Sequence, residues 1–113
     1  WDFVDEDTLQ KVFPDGFLGW DIEHGGVLET SLMLHLHPEK VEMDRVIDHP
    51  PADLTSYDIF PEDPARTPVS GCLSSAVDAS AEKGRLLLDA VHGAVSEALA
   101  TELELPATAE GAR

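Results

Sequence analysis

Apolar residues recur at helical spacing in three stretches of this chain, and the pattern dissolves between them. Leu9, Val12 and Phe13 stand at i, i+3 and i+4, which predicts a short helix from about Asp5 to Phe13. Pro14-Asp15-Gly16 then closes it with a strong turn signal. Leu28, Leu32 and Leu36 fall four apart, with Met33 on the same broad face, and predict a second helix ended by Pro38. Thr30 and Ser31 lie near its start, where hydroxyls can satisfy free amides. The longest pattern is the last. Leu87, Val91, Val95, Ala98 and Leu99 make one stripe of a helix capped by Ser80 and running to about Leu103. Glu82 sits in its first turn, where the helix dipole favours an acid. A helix with one apolar stripe must cover something, and a sheet built from a part of the protein outside this segment is the expected partner.

The middle of the chain is different. Val41 to Ile47 alternates in part and reads as a short edge strand or an extended strap. Tyr57 to Pro61 is a second short extended candidate, and Asp63 to Ser75 is loop-like, with Pro64, Pro68 and Gly71. A loop that long is expected to wrap a body or a neighbouring subunit. A self-sufficient domain of 113 residues rarely spends so much of its length this way. Together with the opening on Trp1, this leads us to expect a segment of a larger protein. Residues 1–105 form the domain portion, and 106–113 read as a flexible tail.

Composition narrows the partners. Lys and Arg number 7 against 23 Asp and Glu, a formal net charge of -16. Nucleic acid and anionic membrane surfaces both select for positive charge, so neither is an expected partner. Cys72 is alone, so no disulfide can close within the chain. No stretch approaches the ~18 consecutive apolar residues of a membrane span. A cytoplasmic setting is the expectation.

The densest chemistry is Trp20-Asp21-Ile22-Glu23-His24-Gly25-Gly26, immediately before the second helix. Neighbours in a regular helix or strand point apart, but a turn eased by Gly19, Gly25 and Gly26 can aim Glu23 and His24 at one bound molecule. A carboxylate can take a proton from water, and a histidine can give one to a leaving nitrogen. Hydrolysis of an amide-like bond needs both transfers. Trp20 offers a flat face for a planar heterocycle, and Asp21 can accept from an N–H. The bland alternative is a solvated Glu23, a turn histidine at His24 and a core tryptophan at Trp20. Glu29 either favours the helix dipole or accepts from His24 and fixes its tautomer. The remaining histidines show no metal-ligand spacing, and His35 and His37 diverge on their helix. Ser74 and Ser75 lack a nearby base and read as loop or capping groups.

Longer runs carry a resemblance. They are Trp1-Asp2-Phe3-Val4, Phe17-Leu18-Gly19-Trp20-Asp21-Ile22-Glu23-His24-Gly25-Gly26 and Glu29-Thr30-Ser31-Leu32-Met33-Leu34. Asp44-Arg45-Val46, Asp48-His49-Pro50-Pro51, Asp63-Pro64-Ala65-Arg66-Thr67-Pro68 and Leu73-Ser74-Ser75-Ala76 continue them. From residue 1 to about 100 the chain resembles the C-terminal part of the creatininase family of creatinine amidohydrolases. The resemblance implies an α/β fold, here the C-terminal portion of a three-layer domain with a long covering helix and extended loops. It implies reversible hydrolysis of the cyclic amide of creatinine to creatine in a homo-hexamer. It also implies two ions per full subunit, zinc and/or manganese, that activate a bridging water. Their ligands are expected outside this segment, in the missing N-terminal portion of the same subunit, so no metal ligand is assigned here. Glu23 and His24 then match the proton-transfer pair. Trp20, Asp21 and Ile22 match the substrate wall, and Trp1 matches a mobile lid over creatinine. This segment alone is expected to be inactive. Two other readings stand beside this one: a hydrolase of another cyclic amide in the same superfamily, and a non-catalytic assembly fragment.

Overall fold

Asp5 caps the first helix. The computed structural model describes residues 3–61, 63–66 and 68–103. Helix α1 spans Glu6–Val12, and the Asp5 carboxylate accepts from the Thr8 N–H at 2.8 Å and from the Thr8 hydroxyl at 3.1 Å. The Phe13 N–H donates to the Leu9 carbonyl at 2.8 Å and closes the helix before the Pro14 turn. Val12 points inward and is fully buried.

Helix α2 spans Val27–Leu36 and starts at Gly26, which has no side chain to cap it. Thr30 and Ser31 do not supply the cap expected from the sequence. Ser31 is fully buried, and its hydroxyl accepts from the Ser80 N–H at 3.1 Å, tying α2 to the entry of the last helix. That last helix, α3, spans Ala81–Glu102. Ser80 caps it as expected, accepting from the Lys83 N–H at 3.2 Å. The two helices cross closely at Gly84, where a Cβ would lie 2.0 Å from the Ser31 carbonyl oxygen. Only a glycine lets the backbones approach that far.

The core gathers Val4, Val12, Val27, Leu28 and Leu87, with Phe13, Phe17 and Val91 packed against it. The stripe of α3 is therefore used in its first half only. Leu87 is fully buried, whereas Val95 and Leu99 emerge, the latter 49% exposed. The same holds on α2, where Leu28 is buried and Leu36 is exposed.

The segment after α2 is neither strand nor simple strap. It folds into two turns of 3-10 helix, Pro38–Lys40 and Met43–Arg45. No β-strand occurs among the described residues, so the sheet of the expected α/β class is not seen in them. The long helix and the extended loops are. The reason is the hydrogen bonding. The Leu73 N–H donates to the His24 carbonyl and the Ala52 N–H to the Leu73 carbonyl, each at 2.8 Å. Three passes of chain are thus pinned by single bonds, which is too few for a ladder. Residues 104–113 lie outside the described residues, and with them the boundary of the expected tail.

Candidate functional site

Trp20–Ile22 form one turn of 3-10 helix, closed by the Glu23 N–H donating to the Trp20 carbonyl at 3.4 Å. An aromatic row anchors this turn to the core. Phe17 and Trp20 meet edge to face at 4.7 Å, and Phe13 lies 4.9 Å from Phe17. Trp20 keeps 40% of its surface exposed, so it is held from below and presents the rest outward. Asp21 is exposed and Ile22 half-buried. Trp1 lies outside the described residues.

Glu23 is the most constrained group of the turn. Its Oε2 accepts from the Leu28 N–H at 3.1 Å, and its Oε1 accepts from the Ser74 hydroxyl at 3.1 Å. The first bond does for α2 what Gly26 cannot, satisfying a free amide of the first turn. Its charge also lies where the helix dipole favours an anion. The approach is tight. A Cβ on Gly26 would lie 2.1 Å from the Ser74 Oγ and 2.8 Å from the Glu23 Oε2. Ser74 itself is only 4% exposed.

His24 behaves oppositely. Its ring is exposed and makes no hydrogen bond among the described residues, while its carbonyl is fixed by the Leu73 N–H. Glu29 lies in the first turn of α2, and its Oε2 accepts from the Gly25 N–H, one peptide beyond His24. The acid thus holds the backbone that carries His24 and supports the same helix start. Gly25 has φ +66°, and a Cβ there would lie 2.7 Å from the Cys72 Sγ, so glycine is required twice over.

The backbone pin at Leu73 brings a second stretch to the turn. Ser75 donates to the Asp48 Oδ1 at 2.8 Å, so residues 73–75 lie between the motif and the Asp48-His49 segment. A cavity of about 320 Å³ opens there, lined by Glu23, Asp48, His49, Ser74, Ser75 and Lys83 among others. A second cleft of about 530 Å³ receives Glu29, Gly25, Cys72 and Arg45. His24 lies outside both linings. Of the two, only the smaller cavity is bordered by Glu23. Sequence reasoning did not assign Ser74 a partner, since Glu23 is 51 positions away. Only its place in the run Leu73-Ser74-Ser75-Ala76 marked it. Among the described residues, no three His, Cys, Asp or Glu side chains gather into a group able to hold a metal ion. The described residues therefore do not fit a two-metal centre by themselves.

This arrangement pairs a locked carboxylate with an exposed imidazole on the next residue. The family model for Creatininase, described as creatinine amidohydrolase, matches residues 7–99. The chain belongs to the creatininase family. It is 58% identical over 103 residues to a creatinine amidohydrolase of Pseudomonas putida, covering 90% of this chain and 40% of that protein. Among solved creatininases, one described as "Creatininase Mn" superposes with a TM-score of 0.85 at 58% identity, over 90% of this chain and 40% of the other. A mutant creatininase complexed with creatine gives 0.84 at 57% identity, over 90% of this chain and 41% of the other. The chain thus spans about 40% of the length of the creatininases it matches.

Proposed function

We propose that this chain supplies the proton-transfer wall of a creatininase, which reversibly hydrolyses the cyclic amide of creatinine to creatine. The observation that carries this is the Glu23–His24 pair. One member is fixed by a main-chain amide and a buried hydroxyl, and the other is free to meet substrate. Family membership supports the substrate class, and a creatine complex exists for a related creatininase.

In the hydrolytic direction Glu23 accepts a proton from the attacking water as its oxygen bonds to the ring carbonyl carbon. The carbon–nitrogen bond of the ring then breaks, and His24 delivers a proton to the departing nitrogen. The proton taken at Glu23 replaces the one given by His24, so the pair returns to its starting state. A fixed carboxylate removes the reorientation that such a relay would otherwise need. Trp20 with Asp21 and Ile22 walls the ring, and Trp1 closes over it, which excludes water during the transfers. Zinc and/or manganese, two ions per full subunit, would be held by chain outside this segment. The reading extends to a cytoplasmic homo-hexamer and to an inactive isolated segment.

The test is turnover by the full-length polypeptide that carries these residues. Creatinine should be converted to creatine, and Glu23→Gln should lower kcat far more than it raises KM. Turnover of a different cyclic amide with creatinine untouched would move the assignment to another member of the superfamily.

A further inference from the structure

The Glu23 carboxylate has two named restraints, and only one of them is explained by helix capping. The Leu28 N–H belongs to the first turn of α2 and would recruit an acceptor in any helix of this kind. The Ser74 hydroxyl is no part of that helix; being buried it needs an acceptor, and the one it uses is this carboxylate. The hydroxyl comes from a different segment, donates to the other carboxylate oxygen at 3.1 Å, and is almost completely buried. The surroundings hold it there. The Leu73 N–H is pinned to the His24 carbonyl on one side, and Ser75 is bonded to Asp48 on the other. Gly26 leaves room for the hydroxyl beside the acid, since a Cβ there would collide with both groups.

We infer that Ser74 is a positioning residue of the proton relay, acting through Glu23 and touching no substrate itself. This rests on the proton-transfer reading of Glu23 given above. Two bonds to two different oxygens fix the rotation of the carboxylate plane, which a single capping bond leaves free. The carboxylate of Glu23, which borders the cavity, therefore keeps one orientation for the relay. A hydroxyl suits this task because it donates to the charged acid without adding a charge of its own. Its action is on the rate of proton transfer, so it should appear in kcat.

The experiment is a double-mutant cycle in the full-length, metal-loaded enzyme, with creatinine as substrate and melting temperature recorded for every variant. Ser74→Ala should lower kcat about tenfold, the scale of a lost hydrogen bond to a charged group, with KM within about twofold. Ser74→Cys keeps the side chain's bulk with a weak donor and should fall between wild type and Ala, and it carries the test if the alanine variant does not fold. In a Glu23→Gln background the same Ser74 substitutions should change kcat by less than about twofold, because the group they act through is gone. Equal losses in both backgrounds would mean a structural role and overturn the inference. Unchanged kcat in both Ser74 variants, with Glu23→Gln impaired, would overturn it while leaving the relay intact. Full activity of Glu23→Gln would remove the relay itself, and the inference with it.

Discussion

Gly26 gives α2 no capping side chain; Glu23 takes over that role, and Glu29 braces the turn just before the helix. Glu23 satisfies the Leu28 amide and Glu29 the Gly25 amide, so the helix start and the motif turn are one unit. His24 rides on that unit with its ring free. On the proposed role of His24 as general acid, His24→Gln should lower kcat by about 10²–10⁴-fold with little change in KM, which steady-state kinetics on the full-length enzyme would check. Gly25 is the most demanding backbone position beside it. Gly25→Ala forces a side chain into positive φ and against Cys72, and should destabilise by about 1–3 kcal/mol in a urea melt. Adding Cys72→Ala should recover only the packing part. At this scale the sequence was legible for residue identity and opaque for partners. It marked Glu23, His24 and Glu29 as a group, because adjacency and glycines are local facts. It left Ser74 as a loop hydroxyl, because a bond across 51 positions leaves no trace in local pattern.

The helices were legible almost to the residue. Periodicity and capping residues are encoded within one turn of where they act, so Asp5 to Phe13, Leu28 to Leu36 and Ser80 to Leu103 correspond closely to α1, α2 and α3. What the helices pack against was not. The tight crossing at Gly84 is invisible in a stripe drawn through Leu87 and Val91. Gly84→Ala, normally favourable inside a helix, should here cost stability, because the new Cβ would lie 2.0 Å from the Ser31 carbonyl. Leu87→Ala should cost about 2–5 kcal/mol by opening a cavity beneath α3, measurable by chemical denaturation. The helix ends also carry an acid dependence. The Thr8 N–H holds the Asp5 carboxyl below its ordinary value of 3.8, and Arg85 holds Glu82 below 4.5. A carboxyl whose folded value is lowered stabilises the fold above its ordinary value and loses that contribution as pH falls through the folded one. Helical circular dichroism should therefore begin to fray from these ends as pH drops below those ordinary values. High salt should weaken the exposed Glu82–Arg85 pair.

Across the whole molecule, apolar surface is left uncovered. Leu99, Leu103 and Ile47 are exposed, and in the loop region Tyr57, Phe60 and Val69 are too, with Phe60 at 81%. Large apolar side chains left in solvent offer area that contact with other protein would cover. Residues 1–113 prepared alone should bind a hydrophobic dye and show no creatinine turnover, whereas the full-length enzyme should turn over and lose activity on chelation. Turnover by the isolated segment would refute the proposed division of labour. The sequence by itself determined the three helices, the Ser80 cap, the acidic charge and the Trp20–His24 motif, since each depends on neighbours within a few residues. The sheet expected beneath the α3 stripe was placed outside this segment, and among the described residues extended passes are pinned by single bonds. Only the tertiary structure decided that Ser74 reaches Glu23, that Ser31 joins α2 to α3, and that half of the α3 stripe stays open. Those outcomes depend on which segments come to lie side by side, and contact between distant segments is settled by packing of the whole rather than by the preference of any part.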